Sequence, residues 1–247
     1  LGRDEALVSC LNLAAGEDGP PTELILDISC LPKRFFFLLV KVALRRRSVL
    51  TLIVTYAQPA GGGYTKEHLA EDPEGVAPLP GFGPSLQDPE QLIVGIGFEA
   101  LGLPQLLSEY RDKKRDIVLL LPFPPGQPYS RRTWEVVRMI GHPGEGDSIR
   151  RVSAIDAFGT YEEIVAFGGR INDSKQNRPP ALAPYGPKPV SLGMCLYALQ
   201  FNAPVFYTQP LLYHPDYTSG LGEIWGYGVK IMGSETWRVG GTPALDF

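Results

Sequence analysis

The chain has 247 residues, of which 44% are hydrophobic and 20% charged, so it can bury one large α/β core or two small ones. Its formal net charge of -4 argues against a general nucleic-acid coat, although a local basic groove stays compatible with it. The longest apolar run, residues 35–44, contains Lys41 and is too short to cross a bilayer, so we expect no membrane association.

The first segments in chain order already alternate between the patterns of helices and strands. Apolar residues between Asp4 and Ala15 recur at helical spacing, and a continuous apolar run at Leu24–Ile28 is typical of a buried strand. A long apolar segment follows at Lys33–Arg46, with Pro32 suited to its first turn. The next β-branched run, Leu50–Tyr56, predicts a second strand.

The alternation continues to the end of the chain. The further predicted strands are Leu92–Gly97, Ile117–Leu121, Ile149–Ile155 and Val205–Pro210. The further predicted helices are Leu101–Tyr110, Arg131–Ile140, Tyr161–Phe167 with Thr160 as its cap, and the segment that opens at Lys188. Alternation of this kind predicts an α/β fold, a three-layer Rossmann-like sandwich with a mostly parallel sheet of five or six strands.

The same pattern is interpreted as one domain spanning residues 1–247. Gly- and Pro-rich stretches predict long loops at 60–90 and 171–185, and an aromatic, Gly-rich cap at 211–247. The first residue is Leu1 rather than Met, which is compatible with missing upstream residues. No signal peptide is recognisable, and three cysteines (Cys10, Cys30, Cys195) form no CxxC motif. We therefore expect free thiols and a cytoplasmic location, with a catalytic cysteine as the alternative.

Two distant stretches of the chain repeat one pattern. Pro32-Lys33 and Pro187-Lys188 each open an apolar helical segment, and the strands that follow end alike, as Val-Thr-Tyr-Ala-Gln-Pro and Val-Phe-Tyr-Thr-Gln-Pro. A helix start offers backbone N–H groups, and a lysine beside it adds an ammonium, which together favour an anion. The repeat therefore predicts two anion-binding helix starts.

In open α/β sheets, ligands bind beyond the carboxyl ends of strands. The polar and glycine residues predicted to line that edge are Asp27, Ser29, Lys33, Glu99, Asp156, Gly186 and Lys188. Two alternatives stay open: Asp27 and Asp156 can cap the turn or helix that follows, and Lys188 can be simply solvated. Recognisable motifs for a P-loop, a dinucleotide fingerprint, a hydrolase elbow and a zinc site are all absent from the sequence, and no cofactor is indicated.

The segment Asp27-Ile28-Ser29-x-x-x-Lys33 resembles the D-[IL]-T-G-G-T-K segment of CRISPR-associated Rossmann fold (CARF) and related SAVED-type domains. In that family the segment lines a cyclic-nucleotide site, and Tyr185-Gly186-Pro187-Lys188 looks like a second version of it. The resemblance implies that Ser29, Lys33, Gly186 and Lys188 face a phosphate. The first copy departs from the family at Cys30-Leu31-Pro32, where the family has Gly-Gly-Thr.

Three functions are compatible with these features. The first is a non-catalytic sensor or adaptor for a nucleotide-like anion, as in bacterial antiviral defence or signalling. The second is an enzyme acting on a phosphorylated or nucleoside substrate through Asp27, Glu99 and Asp156. The third is a protein-binding subunit of a homo-oligomer or larger complex, for which the Pro-rich loops and the aromatic tail are suited.

Overall fold

A computed structural model describes residues 3–14, 16, 19–60, 70–83, 89–97, 102–112, 116–123, 135, 138, 148–171, 179–214 and 218–238. The helices in these ranges are α1 (Arg3–Ala14), α2 (Lys33–Arg45), α3 (Leu103–Asp112), α4 (Ala157–Ile171) and α5 (Lys188–Phe201). The strands are β1 (Thr22–Asp27), β2 (Val49–Ala57), β3 (Ala70–Pro78), β4 (Gln91–Gly95), β5 (Asp116–Phe123), β6 (Ser148–Ser153), β7 (Ala181–Pro184), β8 (Phe206–Tyr213), β9 (Ile224–Ile231) and β10 (Ser234–Glu235).

The α/β class predicted from the sequence is confirmed, but the prediction of one mostly parallel sheet is wrong. The strands form three sheets, with the orders β1-β2-β9-β10, β3-β8 and β6-β5-β4-β7. The chain divides into two compact units, of which the first comprises 1–58 with 224–247 and the second comprises 59–223. The single domain over 1–247 stays a prediction.

The first unit contains a mixed sheet. β1 and β2 are parallel and joined through α2, whereas β9 is antiparallel to β2 and β10 is antiparallel to β9. The segment 211–247, predicted as a cap, therefore contributes β9 to the interior of this sheet. Helix α2 buries a stripe of residues on one side: Lys33, Phe36, Phe37, Leu39, Val40 and Ala43. Full burial on α2 is confined to this stripe.

Buried cations stabilise the same unit. The guanidinium of Arg46, at the end of α2, donates to the carbonyl of Leu11 at 2.7 Å and to the side chain of Asn12. The Lys230 Nζ donates to the Arg46 carbonyl at 3.2 Å. Burial lowers the pKa of Lys230, and the negative charge of Glu235 opposes that shift. The middle arginine of the Arg45–Arg47 triplet thus has a structural role.

The second unit contains the four-stranded parallel sheet. Its strands β4 and β5 are buried along almost their whole length, which is why they read as continuous apolar runs. One face of the sheet, with Leu92 and Val94 of β4 and Ile96 directly after it, packs against α3. On the opposite face Gly95 lies against Val190 and Met194 of α5. Helices therefore lie against both faces of this parallel sheet.

Helix α5 is the most buried helix in the described part of the second unit. Residues 189–198 are all buried, and Asn202 ends the helix in the left-handed conformation with a φ of 51°. A side chain at Gly193 would overlap the Ala157 carbonyl, so this glycine permits close contact between α4 and α5.

A two-stranded ribbon, β3 paired with β8, completes the second unit. β3 lies inside the segment 60–90, which was predicted as a loop, and β7 lies inside the predicted loop 171–185. Val205 forms a parallel bridge with Leu182 of β7, and from Phe206 onward the chain pairs with β3 instead. The second copy of the repeated strand pattern, in β8, therefore pairs outside the parallel sheet. The first copy, β2, stays paired with the parallel strand β1.

Candidate functional site

The residues predicted to line one sheet edge belong to two different sheets. Asp27 ends β1 in the first unit, and Ser29 and Lys33 follow it. Asp156 follows β6 in the second unit, and Gly186 and Lys188 follow β7. Glu99 lies outside the described residues. The expectation of one common sheet edge is therefore wrong, because it required all the strands to share one sheet.

At the edge of the first unit, Asp27 and Ser29 make local hydrogen bonds. The Asp27 Oδ1 accepts from the Ser29 backbone N–H at 2.9 Å and from the Ser29 hydroxyl at 2.5 Å. The Ser29 Oγ in turn accepts from the Ala57 N–H at 2.7 Å. These bonds join the end of β1 to the end of β2. They give Asp27 a local structural role, which is the alternative to ligand binding for this residue. Lys33 is the first residue of α2 and is buried.

At the edge of the second unit, the ends of β4 and β7 are in close contact. Gly95 pairs with Pro184 in the parallel register of these strands. A Cβ at Gly97 would overlap the Tyr185 carbonyl oxygen, and a Cβ at Gly186 would lie 3.2 Å from the Ile96 carbonyl oxygen. The glycines at 97 and 186 are therefore explained by the mutual approach of two backbones.

The connections that leave β4 and β7 run in opposite directions. From β4 the chain passes through α3 to β5, on one side of β4 in the sheet order β6-β5-β4-β7. From β7 it passes through α5 to Val205, which is bridged to β7 through Leu182. Neighbouring parallel strands with divergent connections form a topological switch point, where open α/β sheets leave a crevice for ligands. The candidate site is the carboxyl end of this β4–β7 pair.

Lys188 opens α5 shortly after the carboxyl end of β7. Pro187 is the N-cap, with φ -54° and ψ 157°, and the hydroxyl of Ser191 donates to the Gly186 carbonyl at 3.3 Å. Pro32 caps α2 with nearly the same geometry, φ -54° and ψ 147°. The repeated Pro-Lys pairs thus open helices in the same way, and Lys188 is the one placed at a switch point.

Asp156 acts as the N-cap of α4. Its Oδ1 accepts from the Gly159 N–H at 2.8 Å, and its carbonyl accepts from the Thr160 N–H at 3.2 Å. The prediction that Thr160 caps this helix is wrong, because α4 begins three residues earlier, at Ala157. β6 and β7 are three strand spacings apart, roughly 14 Å. Asp156 and Lys188 therefore follow opposite edges of the sheet.

A pair that sequence reasoning missed joins the end of β7 to β8. The Tyr185 hydroxyl is 2.7 Å from the Thr208 Oγ1, and both residues are buried. Burial raises the pKa of Tyr185 to about 12, although hydrogen bonds from the Thr208 side chain and backbone act in the opposite direction. Both residues lie within the repeated segments, but no local pattern indicates that their side chains meet.

Among the described residues, no group of three or more His, Cys, Asp and Glu side chains could hold a metal ion. Within the described residues neither Cys30, which is exposed, nor Cys195, which is buried, forms a disulfide bond. None of the helices in the described ranges combines the length and apolar character that a membrane-spanning segment needs.

Comparison with protein-family models gives no match for the chain, and comparison with curated protein sequences gives no significant match either.

Proposed function

We propose that the protein is a non-catalytic sensor or adaptor that binds a nucleotide-like anion at the carboxyl end of β4 and β7. The observation that carries the proposal is the switch point between these strands, with Lys188 at the start of α5 beside it. The first-turn N–H groups of α5 and the Lys188 ammonium would contact a phosphate, and the crevice would hold the rest of the ligand. A role in bacterial defence or signalling follows from the CARF-like resemblance, and a cytoplasmic location follows from the expected free thiols; both belong to the same proposal.

Lys33 is the second candidate for an anion contact, but its surroundings support it less. Its sheet edge has no switch point, because β1 leads through α2 to β2 and the next neighbour of β2 is the antiparallel β9. Asp27 and Ser29, which precede it, are already engaged with each other and with Ala57. We therefore assign the ligand to the second unit.

Isothermal titration calorimetry against mono-, di- and cyclic nucleotides tests the proposal. Replacing Lys188 by Ala removes a charge-assisted hydrogen bond of about 1.5–3 kcal/mol, so we expect binding roughly 10- to 100-fold weaker than that of the wild type. The matched control is Arg45→Ala, which removes one exposed positive charge at the far end of α2 and should leave binding unchanged. Wild-type protein that binds no nucleotide, or equal affinities for all three proteins, would refute the proposal.

A protein-binding role is the second candidate, because β8 ends in exposed apolar side chains. Leu211 is 68% exposed and Leu212 is 47% exposed, on the part of the ribbon farthest from Thr208. Adjacent exposed leucines are typical of a surface that another protein covers. Light scattering tests this role, since a homo-oligomer of the wild type should become smaller when both leucines are replaced by Ser. A wild-type monomer that copurifies with no partner counts against it.

A further inference from the structure

The Tyr185 side chain connects the candidate ligand edge to the β3–β8 ribbon. Tyr185 comes directly after β7, and its carbonyl is the group that Gly97 contacts. Its hydroxyl is hydrogen-bonded to the Thr208 Oγ1 at 2.7 Å, and either oxygen can be the donor. One residue thus contacts the end of β4 with its backbone and the ribbon with its side chain.

Thr208 also contacts the other connection that leaves the switch point. Gly102, immediately before α3, has a φ of +71°, and a Cβ there would overlap the Thr208 side chain. The Gly102 carbonyl accepts from the Leu106 N–H at 3.3 Å in the first turn of α3. Because α3 follows β4 and Tyr185 follows β7, Thr208 touches the segments that leave both strands of the candidate site.

The rest of the ribbon is divided into an anchored part and an exposed part. Val76, Phe206 and Tyr207 pack against the core cluster that α3 shares with β4, β5 and β7. The rings of Tyr185 and Tyr207 have centroids 5.1 Å apart. Beyond Thr208, Leu211 and Leu212 are exposed. Thr208 thus lies between the packed part of β8 and its exposed part. A contact that holds Thr208 in place therefore also holds the boundary between these two parts.

We propose that Tyr185 couples the β4–β7 edge to the ribbon, so that ligand binding at the edge suppresses opening of the ribbon. The ligand half of this inference rests on the proposed function. Linkage makes the coupling reciprocal: the ligand binds the protein with an open ribbon more weakly than with a closed ribbon, by the factor by which it lowers the equilibrium constant for opening. Tyr185 is a positioning residue in this scheme, and the exposed end of β8 is the surface that reports occupancy.

Hydrogen–deuterium exchange of the full chain, without ligand, tests the coupling first. Tyr185→Phe removes only the hydroxyl that binds Thr208, so amides of β8 should exchange about fivefold faster. The matched control is Tyr161→Phe, since the Tyr161 hydroxyl makes a comparable buried bond to Gln200 at 2.8 Å, between α4 and α5. Tyr161→Phe should leave β8 unchanged. Equal acceleration of β8 in both variants, or none in Tyr185→Phe, overturns the inference.

The second arm adds the nucleotide that binds best in calorimetry. Exchange in β8 of the wild type should slow, and that protection should be lost in Tyr185→Phe, which should also bind severalfold more weakly. If the nucleotide binds but exchange in β8 is unchanged, the coupling fails and the proposed function stands. If calorimetry detects no nucleotide binding, the proposed function and the ligand half of the coupling are both refuted. Hydrogen–deuterium exchange without ligand cannot give this result, so the two failures are distinguishable.

Discussion

Gly97 shows how one residue at the site is constrained by packing. The Gly95-x-Gly97 pair does not match a dinucleotide-binding fingerprint. The structure gives a different reason for a glycine at position 97. Gly97 lies against the Tyr185 carbonyl, a backbone group that cannot rotate away. The close approach of β4 and β7, which forms the candidate site, therefore depends on the absence of a side chain at this position.

Replacing Gly97 by Ala should destabilise the protein by about 1–3 kcal/mol, because the added methyl forces the two strand ends apart. Gly83→Ala is the matched control, since a Cβ at Gly83 meets nothing within 4 Å and its φ lies outside the left-handed region. That control should be neutral or more stable by up to about 1 kcal/mol. Urea denaturation measures both, and equal stabilities of the two variants would contradict the packing role of Gly97.

The Tyr185 hydroxyl should make stability depend on pH in the alkaline range. Burial raises the pKa of Tyr185 to about 12 in the folded protein, against about 10 in the unfolded chain. A raised folded-state pKa means that its contribution is complete below about pH 10 and is lost as pH rises towards 12, at up to about 1.4 kcal/mol per pH unit. The unfolding free energy of the wild type should thus fall more steeply than that of Tyr185→Phe between pH 10 and pH 11.5. Parallel profiles would contradict this.

At the scale of elements, the two proline-opened helices were predictable from the sequence, and the helix after β6 was predicted with the wrong start. α2 and α5 begin at Lys33 and Lys188 as expected, because proline fixes the backbone before the first turn. The start of α4 was placed too late, because Thr160 is a good capping residue by type. Asp156 precedes it by four residues and caps the helix instead.

Asp156→Ala should therefore cost about 0.5–2 kcal/mol of stability, the usual loss when a helix N-cap is removed. Asp156→Asn keeps an oxygen that can accept from the Gly159 N–H, so its stability should stay close to that of the wild type. Thermal and urea unfolding of the two variants separate these outcomes. Equal destabilisation by Asn and Ala would show that the negative charge, rather than the cap, is what matters at Asp156.

Some elements could not be predicted because their signals are short or non-local. β7 has only four residues, Ala181–Pro184, and two of them are alanines, so its sequence resembles a loop. β3 contains Pro73 and Gly75, which normally argue against a strand, and the register shifts between Pro73 and Val76. Both strands are identified by their partners rather than by their own residues.

At the scale of the whole molecule, the sequence predicted the α/β class but not the distribution of strands among sheets. β9 pairs with β2, although all residues of the second unit lie between the two strands in the sequence. Val205 continues the parallel sheet for one residue before β8 turns to β3. No local pattern encodes either partner, so the candidate residues were predicted at one edge although they follow strands of two sheets.

The central claim is that a nucleotide-like anion binds at the carboxyl end of β4 and β7. The most direct measurement is a crystal structure of the full chain soaked in mixed nucleotides. The proposal predicts electron density for a phosphate within hydrogen-bonding distance of Lys188 and the first turn of α5, with the remainder of the ligand above Gly97. Density at the start of α2 beside Lys33 instead, or an empty crevice at nucleotide concentrations that saturate binding in solution, would contradict it.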